Sequence, residues 1–436
     1  MLLPVRTCRV KTSEYHGMLL QRTWMVFFAA GSIILLCGLL YLDIGKIGFH
    51  TTLKLASVPT SNYLSARLSK IENWELPYFY QNCRKQPEAQ QIVFAKIHKA
   101  ASSTVQNILL RFALARNLSV LLPALSKGPI LSQTESKIQP EKIIEHPVDK
   151  SFDILCSHVL YDTNEVRKYF TNEAVRVAII REPMNQTLSA LRYYATSFPS
   201  DGTKAGLKKH PNNPINGFLS HPDHFYSSDK DPRVSFINNR MSIDLGFDSH
   251  DFEASKRNKT KIQSFVEKIE KEFDIILISD YFDESMILLK RHLCWSFQDI
   301  IYIKVNVLKK EGDPVWYRKP ILNSTIIQTF RQWNAIDYGV YDHFLPLFLK
   351  RIREEPFFKE EVNAFKAIQK QIHSFCFNTT ANCTLRVAKT PWNNEFAVLQ
   401  SNCKLMLAPE TELSELAKIA QLKRFKHASQ LNNTNL

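Results

Sequence analysis

The pattern of apolar and polar positions divides the chain into three regimes. At Trp24–Leu42 ("WMVFFAAGSIILLCGLLYL"), 19 consecutive residues carry no charge. As a helix rising about 1.5 Å per residue, this run nearly crosses a hydrocarbon core about 30 Å thick. It is longer than the apolar region of about 7–15 residues in a cleaved signal peptide, and no small-x-small cleavage pattern follows it. Trp24 and Tyr41 stand at its two ends, as interfacial aromatics do. Arg9, Lys11 and Arg22 precede it and Lys46 and Lys54 follow, a slight bias toward a cytosolic amino terminus. The pattern predicts a cytosolic tail (1–23), a transmembrane signal-anchor (24–42), an aperiodic Ser/Thr/Pro-punctuated stem (43–82) and a lumenal domain (83–436).

Within the domain, short apolar runs alternate with helical periods. Ile92–Lys96 reads as a buried strand, and Val105, Ile108, Leu109 and Phe112 then recur at i, i+3, i+4, i+7. Ser102 or Ser103 is the expected N-cap of that helix. Phe152–His158 and Ala174–Pro183 read as further strands, with Pro183 suited to a first helical turn. Phe273–Ser279 is another strand before the helix "YFDESMILLKRHLCW", and Asp299–Val305 is a further candidate. Residues 199–235, rich in Pro, Asn, Asp and His, read as a long loop, and helical periodicity returns at Asn323–Lys350. The alternation predicts an α/β domain with a central, mostly parallel sheet flanked by helices. Ligands of such sheets bind beyond the carboxyl ends of strands, so the segments after Lys96, Cys156 and Ile180 are the places to look.

Composition adds little to the class and something to the partner. The 436-residue chain carries 56 Lys and Arg against 42 acidic residues, a net charge of +14. That balance suits an anionic partner, but the basic residues are dispersed and no nucleic-acid-binding motif occurs. Six of the eight cysteines (Cys83, Cys156, Cys294, Cys376, Cys383, Cys403) follow the apolar run, a number that suits an oxidising lumen and up to three disulfides, with Cys156 also readable as a strand residue. No CxxC or HExxH occurs, so no metal site is expected.

Chemistry concentrates in "FAKIHKAASSTV". Lys96, His98 and Lys99 offer positive charge, and Ser102, Ser103 and Thr104 open a helix whose free N–H groups favour an anion. The segment has no glycine, whereas a Walker A loop needs GxxxxGK[ST], so an ordinary P-loop nucleotidase is excluded. In "IIREPMNQTLSALRYY" a strand delivers Arg181 to its end and Ser189 follows two turns into a helix, a guanidinium and a hydroxyl suited to a second phosphate. His158 ends "FDILCSH" on a neighbouring strand and is a candidate base.

These segments resemble the galactose 3-O-sulfotransferase family, which includes galactosylceramide sulfotransferase. "FAKIHKAASSTVQNILLRF" resembles its 5′-phosphosulfate loop and "IIREPMNQTLSALRYY" its 3′-phosphate segment; "CSHVLYDTNEVR", "DLGFD", "YFDESMILLKRHLCW", "RQWNAIDYGVYDHF" and "CKLMLAPE" extend the match from about Cys83 to Glu410. The resemblance implies a P-loop-like sulfotransferase fold and a type II protein of the Golgi membrane. It implies sulfuryl transfer from 3′-phosphoadenylyl sulfate (PAPS), as cosubstrate and without a metal, to the 3-hydroxyl of a galactose on a glycolipid or glycoprotein. It assigns Lys96, Ser102, Ser103 and Thr104 to the 5′-phosphosulfate, Lys99 to the bridging oxygen, and Arg181 and Ser189 to the 3′-phosphate. The base is His158, favoured as the neighbouring-strand residue, or His98; a neutral histidine with an ordinary pKa of about 6.5 suits the task. A sulfotransferase for another glycan, or an inactive nucleotide- or glycan-binding member of the fold, are the alternatives, and a homodimer is open. The family's "KTHKT" is "KIHKA" here: Ile97 and Ala100 remove two hydroxyl donors, and weaker donor binding is the expectation. Asn185 begins a glycosylation sequon but is expected in the first turns of the helix beside the 3′-phosphate, hence unmodified.

Overall fold

The computed structural model describes residues 87–434, except 125–127, 129, 145, 147–150, 195–200, 227–231, 235, 249–251, 305–319, 321 and 379–382, together with Cys83 and Arg6–Thr7. The apolar run 24–42 and the stem lie outside the described residues; among those described, no helix is long and apolar enough to cross a membrane.

Four parallel strands form the central sheet: β1 (Ile92–Ala95), β2 (Ile154–Leu155), β3 (Val175–Ile180) and β4 (Ile275–Ile278), in the order β2-β1-β3-β4. Ile92 is in register with Ile154 on one side and Val175 on the other, and Val177 with Ile275. Helices cover the sheet, so its strands are unbroken apolar runs rather than alternating ones. Ile92, Val93 and Phe94 have no exposed surface, and each buried side chain of that size contributes roughly 1.5–3 kcal/mol. The principal helices are α1 (Ser102–Arg116), α2 (Pro183–Tyr193), α3 (Arg240–Asp244), α4 (Phe282–Leu293), α5 (Ala335–Glu354), α6 (Phe358–Asn378) and α7 (Glu410–Thr434). Because β1 and β3 are neighbours while β2 lies outside β1, the crossovers leave β1 and β3 in opposite directions. A crevice opens at that switch point, over the carboxyl ends of the two strands.

Three local expectations are corrected. Asp299–Val305 is not a strand over its described part: Phe297–Ile300 is a helical turn closed by a capping box between Ser296 and Asp299, residues 301–304 run on without a sheet partner, and Val305 lies outside the described residues. The stretch 199–235 contains helices at Asp201–Lys208, Pro214–Leu219 and Pro222–Tyr226. Pro214 and Pro222 start two of them, and Ile215, Phe218 and Leu219 pack with Phe330 and Trp333 in a second apolar cluster. Helix α1 is not capped by a serine: Ala101, in left-handed conformation, is its N-cap, and the Ser102 hydroxyl donates to Ile97 O.

A smaller sheet pairs β5 (Cys383–Val387) antiparallel with β6 (Phe396–Leu399), and Arg6–Thr7 runs parallel to Cys383–Thr384. Disulfides join Cys83 to Cys294 and Cys376 to Cys403, and Cys383 is also disulfide-bonded. Cys156 is a buried free thiol, pushed up to about 12 chiefly by burial.

Candidate active site

A cleft of about 690 Å³ opens at the switch point. Its floor is the β1–α1 segment: His98, Lys99 and Ser102, Ser103 and Thr104 all line it. That segment turns tightly without glycine because Lys99 (φ 60°) and Ala101 (φ 62°) both take left-handed backbone, at about 1–2 kcal/mol each for a residue with a Cβ. Strain of this kind concentrates where side chains must be aimed at a ligand. From the neighbouring strand, Arg181 follows the last residue of β3, and α2 brings Ser189 and Tyr193 to the same cleft. Helix α2 starts at Pro183 and is capped by the Glu182 carboxylate, which accepts from Met184 N and Asn185 N. Asn185 is exposed in its first turn, where the sequence places it.

Lys99 lines the cleft together with Arg181 and the exposed Lys304. The Lys99 Nζ rests 3.6 Å from the centroid of the exposed Tyr193 ring, and no ion pair to it is found among the described residues. Burial, then the nearby Arg181 guanidinium, push it down to about 8. Arg181 donates to the Lys99 carbonyl at 3.0 Å, which ties the two segments together. Asp280, Glu410 and His158 are also among the polar groups that line the cleft.

Lys96 does not line the cleft. It is almost fully buried, and its Nζ lies 2.9 Å from both Glu410 Oε2 and His158 Nε2. His158 is half-buried. Its Nδ1 lies 3.1 Å from Lys96 O, a contact that requires an N–H there, so Nε2 accepts from the Lys96 ammonium. The ring's one lone pair is therefore engaged. Burial, reinforced by His98 and Lys96, holds its pKa well below the usual value.

His98 stacks on His158, ring centroids 3.9 Å apart, but is partnered differently. Its backbone N–H donates to Asp244 Oδ2 at 2.7 Å, and its Nδ1 lies 2.8 and 3.0 Å from the two Asp244 oxygens. Arg240 Nη2 is 2.7 Å from Asp244 Oδ1, and its Nε is 3.3 Å from the same His98 Nδ1. An unprotonated Nδ1 would set a lone pair against a carboxylate at 2.8 Å, so the proton sits on Nδ1, and the Arg240 Nε–H at 3.3 Å, which would need an acceptor there, makes no hydrogen bond to the ring. His98 Nε2 then carries a lone pair, is buried, and makes no hydrogen bond. Burial pushes His98 down, Asp244 pulls it back, and Arg240 and Lys96 press it down again, to about 4. The ring is neutral at pH 7.

Ile97 and Ala100 have no exposed surface and pack in the principal core. The two positions that differ from the family loop thus face away from the cleft, and the expected loss of ligand hydroxyls does not follow from them. Sequence reasoning also missed groups in and around the site: Tyr193, Glu410 and, behind His98, Asp244. "DLGFD" and "CKLMLAPE" had marked the neighbourhoods of the last two without giving them a role. Among the described residues no group of three or more His, Cys, Asp or Glu side chains is arranged to hold a metal.

The family model described as Galactose-3-O-sulfotransferase matches residues 32–430. Galactose-3-O-sulfotransferase 3 of Bos taurus is 30% identical over 275 residues, 62% of this chain and 60% of that protein. Galactose-3-O-sulfotransferase 2 of Sus scrofa is 30% identical over 66% of this chain and 69% of its own length. Galactosylceramide sulfotransferase of Mus musculus is 28% identical over 74% of each. With the family model spanning most of its length, the chain belongs to the galactose-3-O-sulfotransferase family.

Proposed function

We propose that this protein is a PAPS-dependent galactose 3-O-sulfotransferase. The observation that carries the reading is the convergence on one cleft of Lys99, Arg181, the amino end of α1 and His98, whose buried Nε2 has no hydrogen-bond partner. The first three suit an anionic donor: two cations and the partial positive charge of a helix start. The last suits an acceptor, because a sugar hydroxyl attacks sulfur well only as it loses its proton. In this reading His98 Nε2 takes that proton, the hydroxyl oxygen forms the new S–O bond, and the bridging S–O bond breaks. Lys99 offsets charge on the departing phosphate. Ser102, Ser103 and Thr104 serve the 5′-phosphosulfate, and Arg181 and Ser189 the 3′-phosphate. His98 is preferred to His158 because the His158 lone pair is held by Lys96. Lys96 acts from beneath, by fixing His158 and Glu410 rather than by touching donor.

The acceptor class is a galactose-terminated glycolipid or glycoprotein glycan. Radiolabelled donor incubated with a panel of galactosides tests the reading: label on the galactose 3-hydroxyl is expected. Binding of 3′,5′-bisphosphate without transfer to any galactoside would sink it.

We further propose a single-pass type II protein of the Golgi membrane, on the charge-free run 24–42 and on disulfides that suit an oxidising lumen. The pairing of Arg6–Thr7 with Cys383–Thr384 favours the opposite arrangement, with both ends on one face. Protease protection of sealed vesicles separates them. A cleaved amino-terminal tag beside a protected carboxyl-terminal tag is expected; protection of both tags would overturn the type II topology.

A further inference from the structure

We infer that Asp244 is the positioning residue for the base: it holds His98 in the tautomer that leaves Nε2 free to accept the acceptor's proton. The inference rests on His98 as base and adds the group that makes it one. Asp244 comes from α3, 146 residues along the chain from His98, and is 3% exposed. It grips His98 twice, by the backbone N–H and by Nδ1. One contact fixes the main chain where Lys99 turns left-handed; the other fixes the ring. A carboxylate needs a proton on the nitrogen it faces, and a neutral imidazole has only one to give. The lone pair is thereby assigned to Nε2. Other charged or titratable groups around the ring leave that assignment standing. Arg240 is bound to Asp244 itself, to Arg233 O and to Gln133 O; its Nε also points at His98 Nδ1, but at 3.3 Å against the Asp244 oxygens at 2.8 and 3.0 Å. Lys96 is bound to Glu410 and His158, and His158 spends its proton on Lys96 O.

The frame behind Asp244 is built to hold one position. Asn239, left-handed at φ 47°, begins α3; its side-chain oxygen accepts from Ile336 N and Asp337 N at the start of α5. Asp337 returns the bond, accepting from Ser242 N at 2.8 Å and from the Ser242 hydroxyl at 2.6 Å. Two helix starts thus cap each other, and the turn carrying Asp244 is locked against α5. This explains why "DLGFD" and "RQWNAIDYGVYDHF" accompany the donor loop in sequence without contributing cations to the cleft.

The test has two arms on the detergent-solubilised full chain. In protein labelled with ¹⁵N-histidine, His98 is assigned by the signals lost in His98→Gln. At pH 7 it is expected to be neutral with the proton on Nδ1; a proton on Nε2, or an imidazolium, overturns the inference. In the second arm Asp244→Asn is expected to lower kcat at least 10²-fold, with 3′,5′-bisphosphate affinity held within about threefold, since general-base loss acts on the proton and not on the donor. A kcat within threefold of wild type overturns it. If Asp244→Asn does not fold, the tautomer decides alone. If wild type transfers nothing to any galactoside, the proposed function fails, while the tautomer still reports on Asp244.

Discussion

Two clusters of buried charge can be set side by side. Lys290 and Arg291 on α4 meet Glu361 on α6: Lys290 Nζ is 2.8 Å from one Glu361 oxygen and Arg291 Nε 2.7 Å from the other. Arg291 also reaches Glu355 and Pro356 O. All three are buried, and no side-chain nitrogen or oxygen among them lacks a hydrogen bond. Arg240, Asp244 and His98 are as deeply buried, yet there the network ends on an unpartnered nitrogen beside a strained turn and a cleft. Burial and ion pairing are common to both. What separates a cluster that holds the fold from one placed for the proposed chemistry is the unsatisfied atom and the strain beside it.

The largest way to break that contrast is Glu361→Ala. Two cations would stay buried without their acid, and unfolding free energy should fall by about 3–5 kcal/mol in urea titration. The kcat of the molecules that remain folded should not change. A loss under about 1 kcal/mol would mean the cluster is not the structural one. Lys99→Ala is the mirror experiment. Removing a charge placed for the leaving oxygen should cost about 10²–10³-fold in kcat, with no loss in the urea midpoint at pH 7 and a rise expected, because burial and Arg181 disfavour the Lys99 ammonium in the folded chain. Retained transfer would remove Lys99 from the site.

Ile97→Thr sharpens the same line at the scale of one side chain. It restores the family's residue, yet the position is inside the core. A buried hydroxyl there should cost about 1–3 kcal/mol of stability and leave donor affinity within about twofold. Tighter donor binding would return Ile97 to the cleft.

The parts of the site that were legible in sequence are those the local chain delivers. A strand end carries Lys99, another carries Arg181, and the helices that follow carry Ser102–Thr104 and Ser189; an alternating apolar pattern is enough to predict that they converge. Asp244 and Glu410 were not legible because packing far along the chain brings them in, and Asp244 stands 146 residues from the histidine it holds. Lys96 shows the limit in the other direction: its charge reads as a ligand group, but one position along a strand end turns it inward, onto Glu410. At Asp299 an acid three residues after Ser296 is a capping signal that outweighs the β-branched run behind it.

The finest separation is in pH. Burial pushes both Lys290 and Lys99 below the usual lysine range, but Glu361 works against it at Lys290, whereas Arg181 adds to it at Lys99 and takes it to about 8. In the free enzyme, kcat/KM should therefore fall as pH rises through about 8, tenfold per unit beyond it, as the ammonium loses its proton. Stability must move the other way. Between about 8 and the ordinary lysine pKa of about 10.4, the unfolded chain holds a proton at Lys99 that the folded one has released. It binds more protons, so this contribution to unfolding free energy rises with pH across that window. Lys99→Arg stays charged throughout and should remove the alkaline fall in kcat/KM, whatever its cost in absolute rate. A fall that persists with its midpoint near 8 in Lys99→Arg would assign the titration to another group, and the electrostatic contrast between the two clusters would no longer turn on Lys99.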